Sequence, residues 1–429
     1  MRLYPHQEEV LNATRGMWYV AYFMEQGLGK TFVGSEKMME IGNGVNLLIC
    51  QNSKINDWSI HFKTHYSGKV FVIDYTKPKS KVLKAEDIVL YSGVMPVVVI
   101  VNYELAWRRT ELSRLTEFTL ILDESSLIQN ANAKQTKFII RKLRHNAVIL
   151  LSGTPCGGKF ENLWTQSYLL GCGLTKREFE ERFINFETIR KNGMHIRIVN
   201  RKHPYKNIEE LKAILRRNGA VFMKSEDVLT LPEQRTIFLN SPIQPAYRKF
   251  LKDRYIEVEG KEMVGSSSLS FRLGLRMLAS QYSKAKIESF RDLLNSTSDR
   301  LIVFYNFKEE LRKLAEVCEK ADRPMSFVNG EVKDLTEYEE SDNSVTFCQY
   351  QAGSMGLNLQ KANKTVYFSL PERSDLFEQS KKRIHRIGQK NACTYYIMQT
   401  ASSIDQLIYR ALEKKRDYTD ELFREQYMD

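Results

Sequence analysis

The stretch Gln26-Gly27-Leu28-Gly29-Lys30-Thr31 follows an apolar run over 18–24 and precedes a helix-like segment over 32–41. Strand, glycine loop, Lys-Thr and helix is the order that a phosphate-binding loop requires. Glycines let the backbone turn tightly and aim N–H groups at phosphate oxygens, and the helix N-terminus adds partial positive charge. In such a loop Lys30 reaches the β- and γ-phosphates, and the Thr31 hydroxyl holds magnesium. The full pattern, G-x-x-x-x-G-K-S/T, asks for a glycine where this chain has Met24. A glycine-rich turn that simply caps a helix is the competing reading of the same letters.

The surrounding pattern gives the loop a context. Strand-like runs recur over 19–24, 46–50, 70–74, 97–102, 120–122 and 147–152, with helix-like segments between them. Most are unbroken apolar runs, as in strands buried on both faces. The alternation predicts an α/β unit with a largely parallel sheet. Ligands of such sheets bind beyond the carboxyl ends of the strands. The glycine loop, the residues after Leu122 and those after Leu151 all occupy such ends. From about Arg300 the alternation returns, over 301–305, 344–348, 365–368 and 394–398, followed by a charged amphipathic helix at about 404–425.

Between the two units, residues 172–290 read as a helical insert broken by one hairpin. Asn192-Gly193, set between 186–189 and 195–199, is a strong hairpin signal. That hairpin and its tail carry Arg190, Lys191, Arg197, Arg201, Lys202 and Lys206. The expected division is a first lobe over 1–226, with an insertion at about 172–226. A second lobe is expected over 227–429, with an insertion at about 240–290.

Lysine and arginine outnumber the acids by 64 to 52, a formal net charge of +12. That excess points to a polyanionic partner, most often nucleic acid, against the plainer reading of a merely basic soluble protein. The six cysteines are scattered and form no C-x-x-C pair, which argues against a zinc site and for a reducing compartment. No cationic-then-apolar leader is found, and the longest apolar run, 94–101, is too short to span a bilayer. A cytoplasmic protein that does not engage a membrane is expected.

Asp123-Glu124 ends an apolar strand downstream of the glycine loop. There the first carboxylate can hold a metal and the second can polarise an attacking water. A helix N-cap is the structural alternative. Ser152-Gly153-Thr154-Pro155 ends the next strand; its hydroxyls can link a nucleotide site to neighbouring segments, or form an ordinary tight turn. Far downstream, Arg383 and Arg386 are three apart, so a helix would place them on one face. A guanidinium brought against a γ-phosphate stabilises transition-state charge; a solvated basic helix is the alternative. Gly353-Ser354-Met355-Gly356-Leu357-Asn358-Leu359 sits one strand earlier, where glycines admit a close backbone or phosphate approach, or simply turn the chain.

In order and kind, these segments resemble superfamily 2 helicases, and specifically SWI/SNF-like DNA translocases. The most specific likeness is Arg383-Ile384-His385-Arg386-Ile387-Gly388-Gln389, followed by Gly356-Leu357-Asn358-Leu359. Leu3-Tyr4-Pro5-His6-Gln7 looks like the opening adenine-recognition motif, with Gln7 on the base. The chain departs from the family at Met24, where an acid is usual, at Gln51, at Ser125-Ser126, and near Phe222-Met223-Lys224, which lacks the usual paired arginines.

The resemblance implies an α/β protein of two tandem RecA-like lobes with parallel sheets, helical insertions and a basic β-hairpin between the core motifs. It implies ATP held by Gln7, Gln26, Gly27, Leu28, Gly29, Lys30, Thr31 and Gly356, and Mg2+ held by Thr31 and Asp123. The expected catalytic set is Lys30, Asp123, Glu124, Gln379, Arg383 and Arg386. DNA is expected at Asn52, Ser53, Trp58, Asn102, Tyr103, Asn306 and Asn358, and on the hairpin at Arg190, Lys191, Arg197, Arg201 and Lys202. The expected function is an ATP-dependent DNA translocase or helicase that moves along or remodels DNA through sequence-neutral backbone contacts, with forked or branched DNA as one candidate target. It would act as a monomer in a bacterial cell or a virus-infected bacterial host. The hairpin would serve as a strand-splitting wedge, a duplex grip or a surface decoration. A non-hydrolysing scaffold and an RNA-directed motor are the alternatives.

Overall fold

The computed structural model describes residues 3–78, 83–191, 194–200, 202–228, 231–353 and 357–414. The chain forms two compact units, Met1–Leu229 and Thr230–Asp429.

In the first unit the apolar runs become strands β1 (Tyr19–Met24), β2 (Val45–Cys50), β3 (Phe71–Asp74), β4 (Val97–Asn102), β5 (Thr119–Asp123) and β6 (Ala147–Ser152). An exposed antiparallel hairpin follows, β7 (Phe186–Lys191) with β8 (Met194–Val199), and then a short strand, β9 (Ala220–Met223). The main sheet runs β3-β4-β2-β5-β6-β1-β9, and every pair in it is parallel. Strand residues alternate between two cores. Leu47, Val99, Leu120 and Leu150 face one, while Leu48, Ile100, Ile121 and Ile149 face the other. Burial on both faces is why these segments read as continuous apolar runs. Helices α1 (Pro5–Ala13), α2 (Lys30–Ile41) and α3 (Ile55–His65) matter most for the site.

The second unit contains β10 (Gln234–Ser241), the hairpin β11 (Tyr255–Val258) with β12 (Lys261–Val264), β13 (Leu301–Tyr305), β14 (Met325–Val328), β15 (Lys333–Asp334), β16 (Val345–Gln349), β17 (Lys364–Tyr367) and β18 (Cys393–Thr400). Its sheet runs β10-β18-β17-β13-β16-β14-β15, parallel throughout except for β14 with β15. No helix among the described residues is long and apolar enough to cross a membrane.

The expectation of a helical insert broken only by the hairpin at 186–199 is corrected over 172–290. β9 adds an edge to the first sheet and β10 an edge to the second. Both escape a pattern reading for physical reasons. β9 is four residues long, and β10 is exposed along most of its length, so neither shows the apolar run of a central strand. The final helix is Ile404–Glu413; its expected continuation to about residue 425 lies outside the described residues.

Inside the second unit, the fully buried Lys286 ammonium lies 2.7 Å from the Asp405 carboxylate, which also accepts from the Thr400 N–H. The pair joins the helix Lys284–Asn295 to the helix Ile404–Glu413. Lys286→Ala leaves Asp405 buried without its countercharge, so we expect a loss of about 3–5 kcal/mol, read from the urea midpoint of the second unit. A change below about 0.5 kcal/mol, typical of an inert surface site, would contradict this role.

Candidate functional site

Parallel strands finish on one edge, and the register of this sheet sets how closely their ends align. Phe23 stands opposite Ser152, Asp123 opposite Leu151, Ile49 opposite Leu122, and Cys50 opposite Asn102. The glycine loop, Asp123-Glu124, Ser152-Gly153-Thr154-Pro155, Asn52 and Asn102 therefore leave the sheet side by side.

The loop turns through two left-handed glycines, Gly27 at φ +92° and Gly29 at φ +77°, and α2 begins at Lys30. A Cβ on Gly29 would meet Gln7 Nε2, the end of a side chain that would have to move, and the positive φ strains any substitution there. Gln7 is buried at the start of α1. Its Nε2 donates to Leu28 O at 3.2 Å, and its Oε1 accepts from Tyr4 N at 3.0 Å. His6 Nε2 meets the same Leu28 carbonyl at 3.1 Å. Lys30 Nζ bends back onto the loop, donating to Met24 O at 2.7 Å and to Glu25 O at 3.2 Å. Glu25 in turn accepts from the Ser225 N–H at 3.1 Å, which ties the loop to the short helix after β9.

The acid pair is held by neutral donors. Asp123 Oδ2 accepts from the Trp58 indole Nε1 at 2.8 Å. Tyr103 donates its hydroxyl to Asp123 O at 3.0 Å. Glu124 adopts a left-handed conformation, φ 57°, rare for a non-glycine residue, and its Oε1 accepts from Ser126 Oγ and Ser152 Oγ, each at 2.8 Å. Burial pushes the Glu124 carboxyl above the usual carboxylate range, while the Lys30 charge and the two hydroxyls pull it back in part. Ser125 Oγ donates to Gln166 Oε1 at 2.7 Å, and Gln166 Nε2 donates to Pro155 O at 2.7 Å, which fastens the two strand-end turns together. Thr31 and Asp123 supply the oxygens that could hold a divalent cation.

Gln166 has no signal in the sequence, because nothing in a single buried glutamine announces its partners. Trp58 and Tyr103 need a correction. They were expected at the DNA, yet they are only 3 % and 4 % exposed, and their polar atoms are turned to Asp123. A ring so enclosed offers no face to a phosphate backbone. Asn102 is nearly buried; its amide donates to Asn52 Oδ1 at 2.9 Å and its Oδ1 accepts from Leu105 N. Asn52 is exposed and Ser53 half-buried on the turn that opens α3. On the hairpin, Arg190 and Arg197 are exposed, with the Arg197 guanidinium 3.7 Å from the Phe186 ring centre. Lys191 ends β7 and Lys202 is exposed just beyond the hairpin; Arg201 lies outside the described residues.

The second unit gathers its own motifs. Gln379 is buried on the helix Ser374–Lys381, and Arg383 is buried just beyond it. The expected shared helical face of Arg383 and Arg386 is corrected. The helix stops at Lys381, and both arginines lie in consecutive turns that end at Gly388, φ +95°. The turn is anchored from below, where Gln389 Nε2 donates to the carbonyls of Gln360, Ala362 and Ile384. Leu359 N donates to Arg383 O at 3.1 Å, and Arg386 Nη1 donates to Leu357 O at 3.3 Å, so the two motifs pack together. Burial pulls the Arg386 guanidinium below its ordinary value. Asn358 is exposed beside them, whereas Gly356 lies outside the described residues. Asn306, expected at the DNA, spends its amide on Ser369 Oγ at 2.8 Å and Leu370 O at 3.0 Å.

Comparison with known proteins places these features in a family. The SNF2-related domain model matches residues 22–299, and the helicase conserved C-terminal domain model matches residues 285–388. The chain is 22% identical over 442 residues to a putative ATP-dependent helicase/translocase, YwqA, of Bacillus subtilis, covering 93% of this chain and 46% of that protein. It is 25% identical to SWI/SNF-related matrix-associated actin-dependent regulator of chromatin subfamily A-like protein 1 of Xenopus tropicalis, over 74% of this chain and 34% of that one. The chain thus spans less than half the length of these relatives. Among solved structures, the Sulfolobus solfataricus SWI2/SNF2 ATPase core in complex with dsDNA aligns at a TM-score of 0.47 and 19% identity, over 99% of this chain and 92% of that one. With a family model covering most of its length and a helicase C-terminal domain behind it, this chain belongs to the SNF2-related family.

Proposed function

We propose that the chain hydrolyses ATP with magnesium and uses the cycle to move along DNA without reading its sequence. The observation that carries this reading is one sheet edge at which a left-handed glycine loop and Lys30 follow β1, and the acid pair Asp123-Glu124 ends β5, with only β6 between the two strands. The names of relatives such as YwqA point the same way. The first lobe is assigned to 1–226 and the second to 227–429, in a bacterial cell or a virus-infected bacterial host.

The residues fit the groups they would hold. Thr31 and Asp123 offer hard oxygen donors suited to magnesium, and the left-handed turns at Gly27 and Gly29 suit a phosphate-binding backbone. When bound, magnesium neutralises the charge that builds on the phosphates as the leaving group departs. Lys30 exchanges two neutral carbonyl acceptors for anionic phosphate oxygens. Gln7, locked to the loop carbonyl, positions the base beside it. Glu124 would take the proton of the attacking water, and Gln379, Arg383 and Arg386 are the residues of the second lobe proposed to stabilise transition-state charge. The residues proposed to meet DNA are Asn52, Ser53 and the cations Arg190, Lys191, Arg197, Arg201 and Lys202 in the first lobe, and Asn358 in the second. Contacts to phosphates make binding sequence-neutral and strongly salt-dependent.

ATP turnover should rise on adding DNA. Comparing single-stranded, duplex, forked and four-way DNA identifies the preferred form, and a rate that no DNA alters would reject the translocase reading. Lys30→Ala should cut turnover by at least ~10²-fold, whereas Arg386→Ala should bind ATP normally yet turn over at least ~10³-fold more slowly. Full DNA-stimulated turnover in Arg386→Ala would refute its assignment.

Glu124 works only when ionised, so its raised pKa places the acidic limb of turnover above that of an ordinary carboxylate. Ser152→Ala removes a donor that favours the ionised form, so the limb in a kcat–pH profile should move to higher pH. For stability the sign is opposite. A raised carboxyl favours the fold below its ordinary pKa and loses that advantage as pH climbs through the raised one.

A further inference from the structure

Helix α3 bonds directly to one group assigned to the metal, Asp123, and reaches the main chain of the other residue, Thr31, through Ser35, by side chains that the ATPase reading does not use. At one turn Trp58 donates its indole N–H to Asp123 Oδ2 at 2.8 Å. At the next turn His61 Nε2 lies 3.0 Å from Ser35 Oγ, and Ser35 Oγ donates to the carbonyl of Thr31 at 2.8 Å. Ser35 has one hydroxyl proton, and with that proton on Thr31 O, His61 is the donor to Ser35. The His61 ring also meets the edge of Phe32, the residue after Thr31, at 4.8 Å between centres. Burial depresses His61 to about 4, which keeps it neutral and able to hold this tautomer at neutral pH.

The choice of donor matters. A carboxylate that binds a cation must be oriented without being neutralised. Lysine or arginine at position 58 would orient Asp123 but compete with the cation for its charge. An indole N–H is neutral, occupies a single oxygen and leaves Oδ1 open. The ring cannot swing away, because it is enclosed and lies against Phe62, 5.7 Å between centres and 26° between planes. Tyr103 holds the main chain of the same residue from the end of β4.

We propose that Trp58 is a positioning residue for magnesium binding: its indole N–H fixes the Asp123 carboxylate, while His61 on the same helix fixes the Thr31 end of the site. This inference rests on the ATPase reading above. It makes α3, whose opening turn exposes Asn52, the ruler that sets the distance between the two metal-holding groups.

The test is magnesium-dependent binding of a fluorescent, non-hydrolysed ATP analogue to the full chain, measured with and without EDTA. Trp58→Phe keeps a ring and removes only the N–H donor. It should weaken the apparent magnesium affinity by about tenfold, the scale of one hydrogen bond to a charged group, while metal-free nucleotide binding stays unchanged. Ile60→Ala, a control at an exposed position of the same helix, should leave both affinities in place. Equal magnesium affinity in Trp58→Phe and the unaltered protein overturns the proposal. So does a parallel loss of metal-free and magnesium-dependent binding, which would mark Trp58 as packing alone. An unaltered chain that binds no nucleotide overturns the ATPase reading itself, and this inference with it.

A second measurement needs no substitution at position 58. The chain has four tryptophans, and so four indole N–H signals in a nitrogen-15 spectrum. The signal left after assigning Trp18, Trp107 and Trp164 by replacement should move with magnesium–nucleotide and stay still with metal-free nucleotide. A signal that ignores magnesium overturns the proposal.

Discussion

A parallel sheet has a single edge on which all its strands finish, and the chemistry of this chain depends on that constraint. Lys30, Asn52, Asn102, Asp123 and Ser152 stand at or just beyond the ends of five separate strands. They are brought together because β1, β2, β4, β5 and β6 run the same way and their last residues stand in near register. Burial of both faces fixes that register, since slipping one strand by a residue would turn its leucines and valines to the wrong core. The edge is therefore a rigid platform, and the loops that leave it inherit positions set by hydrophobic packing far below them.

Unfavourable features collect on the same edge. Glu124 sits in a left-handed conformation, which costs of order 1–3 kcal/mol for a non-glycine residue, and its carboxyl loses hydration. Gly27 and Gly29 hold conformations that most residues resist. The compensation comes from neutral donors: two serine hydroxyls on the Glu124 carboxylate and an indole on that of Asp123, with a phenol on the Asp123 main chain. Such donors satisfy the oxygens without cancelling the charge that a cation or a proton would need. A salt bridge in the same place would stabilise the fold and silence the site.

Much of this was legible in the chain itself, and the rest was hidden for identifiable reasons. Central strands such as β4 and β6 announce themselves as unbroken apolar runs, and the glycine loop is read from local geometry that only glycine tolerates. Edge strands β9 and β10 lack that signature because β9 is four residues long and β10 is exposed along most of its length. Motif letters also mislead about direction. Trp58 and Tyr103 stand in segments associated with nucleic acid, yet their side chains point inward to Asp123, because an aromatic ring with one polar atom gains most when the ring is enclosed and the atom is paired. Arg383 and Arg386 were given a helical spacing that the chain abandons at Lys381. Sequence spacing fixes which residues are neighbours in the chain; the turn that follows decides which way they face.

The central claim is that one sheet edge forms the nucleotide site, and hydrogen–deuterium exchange with and without a magnesium-bound ATP analogue tests it most directly. The account predicts joint protection of three segments that are remote in sequence, 25–32, 124–126 and 152–155, with the hairpin 186–199 unaffected until DNA is added. Protection confined to other segments, or none at all under saturating analogue, would contradict it.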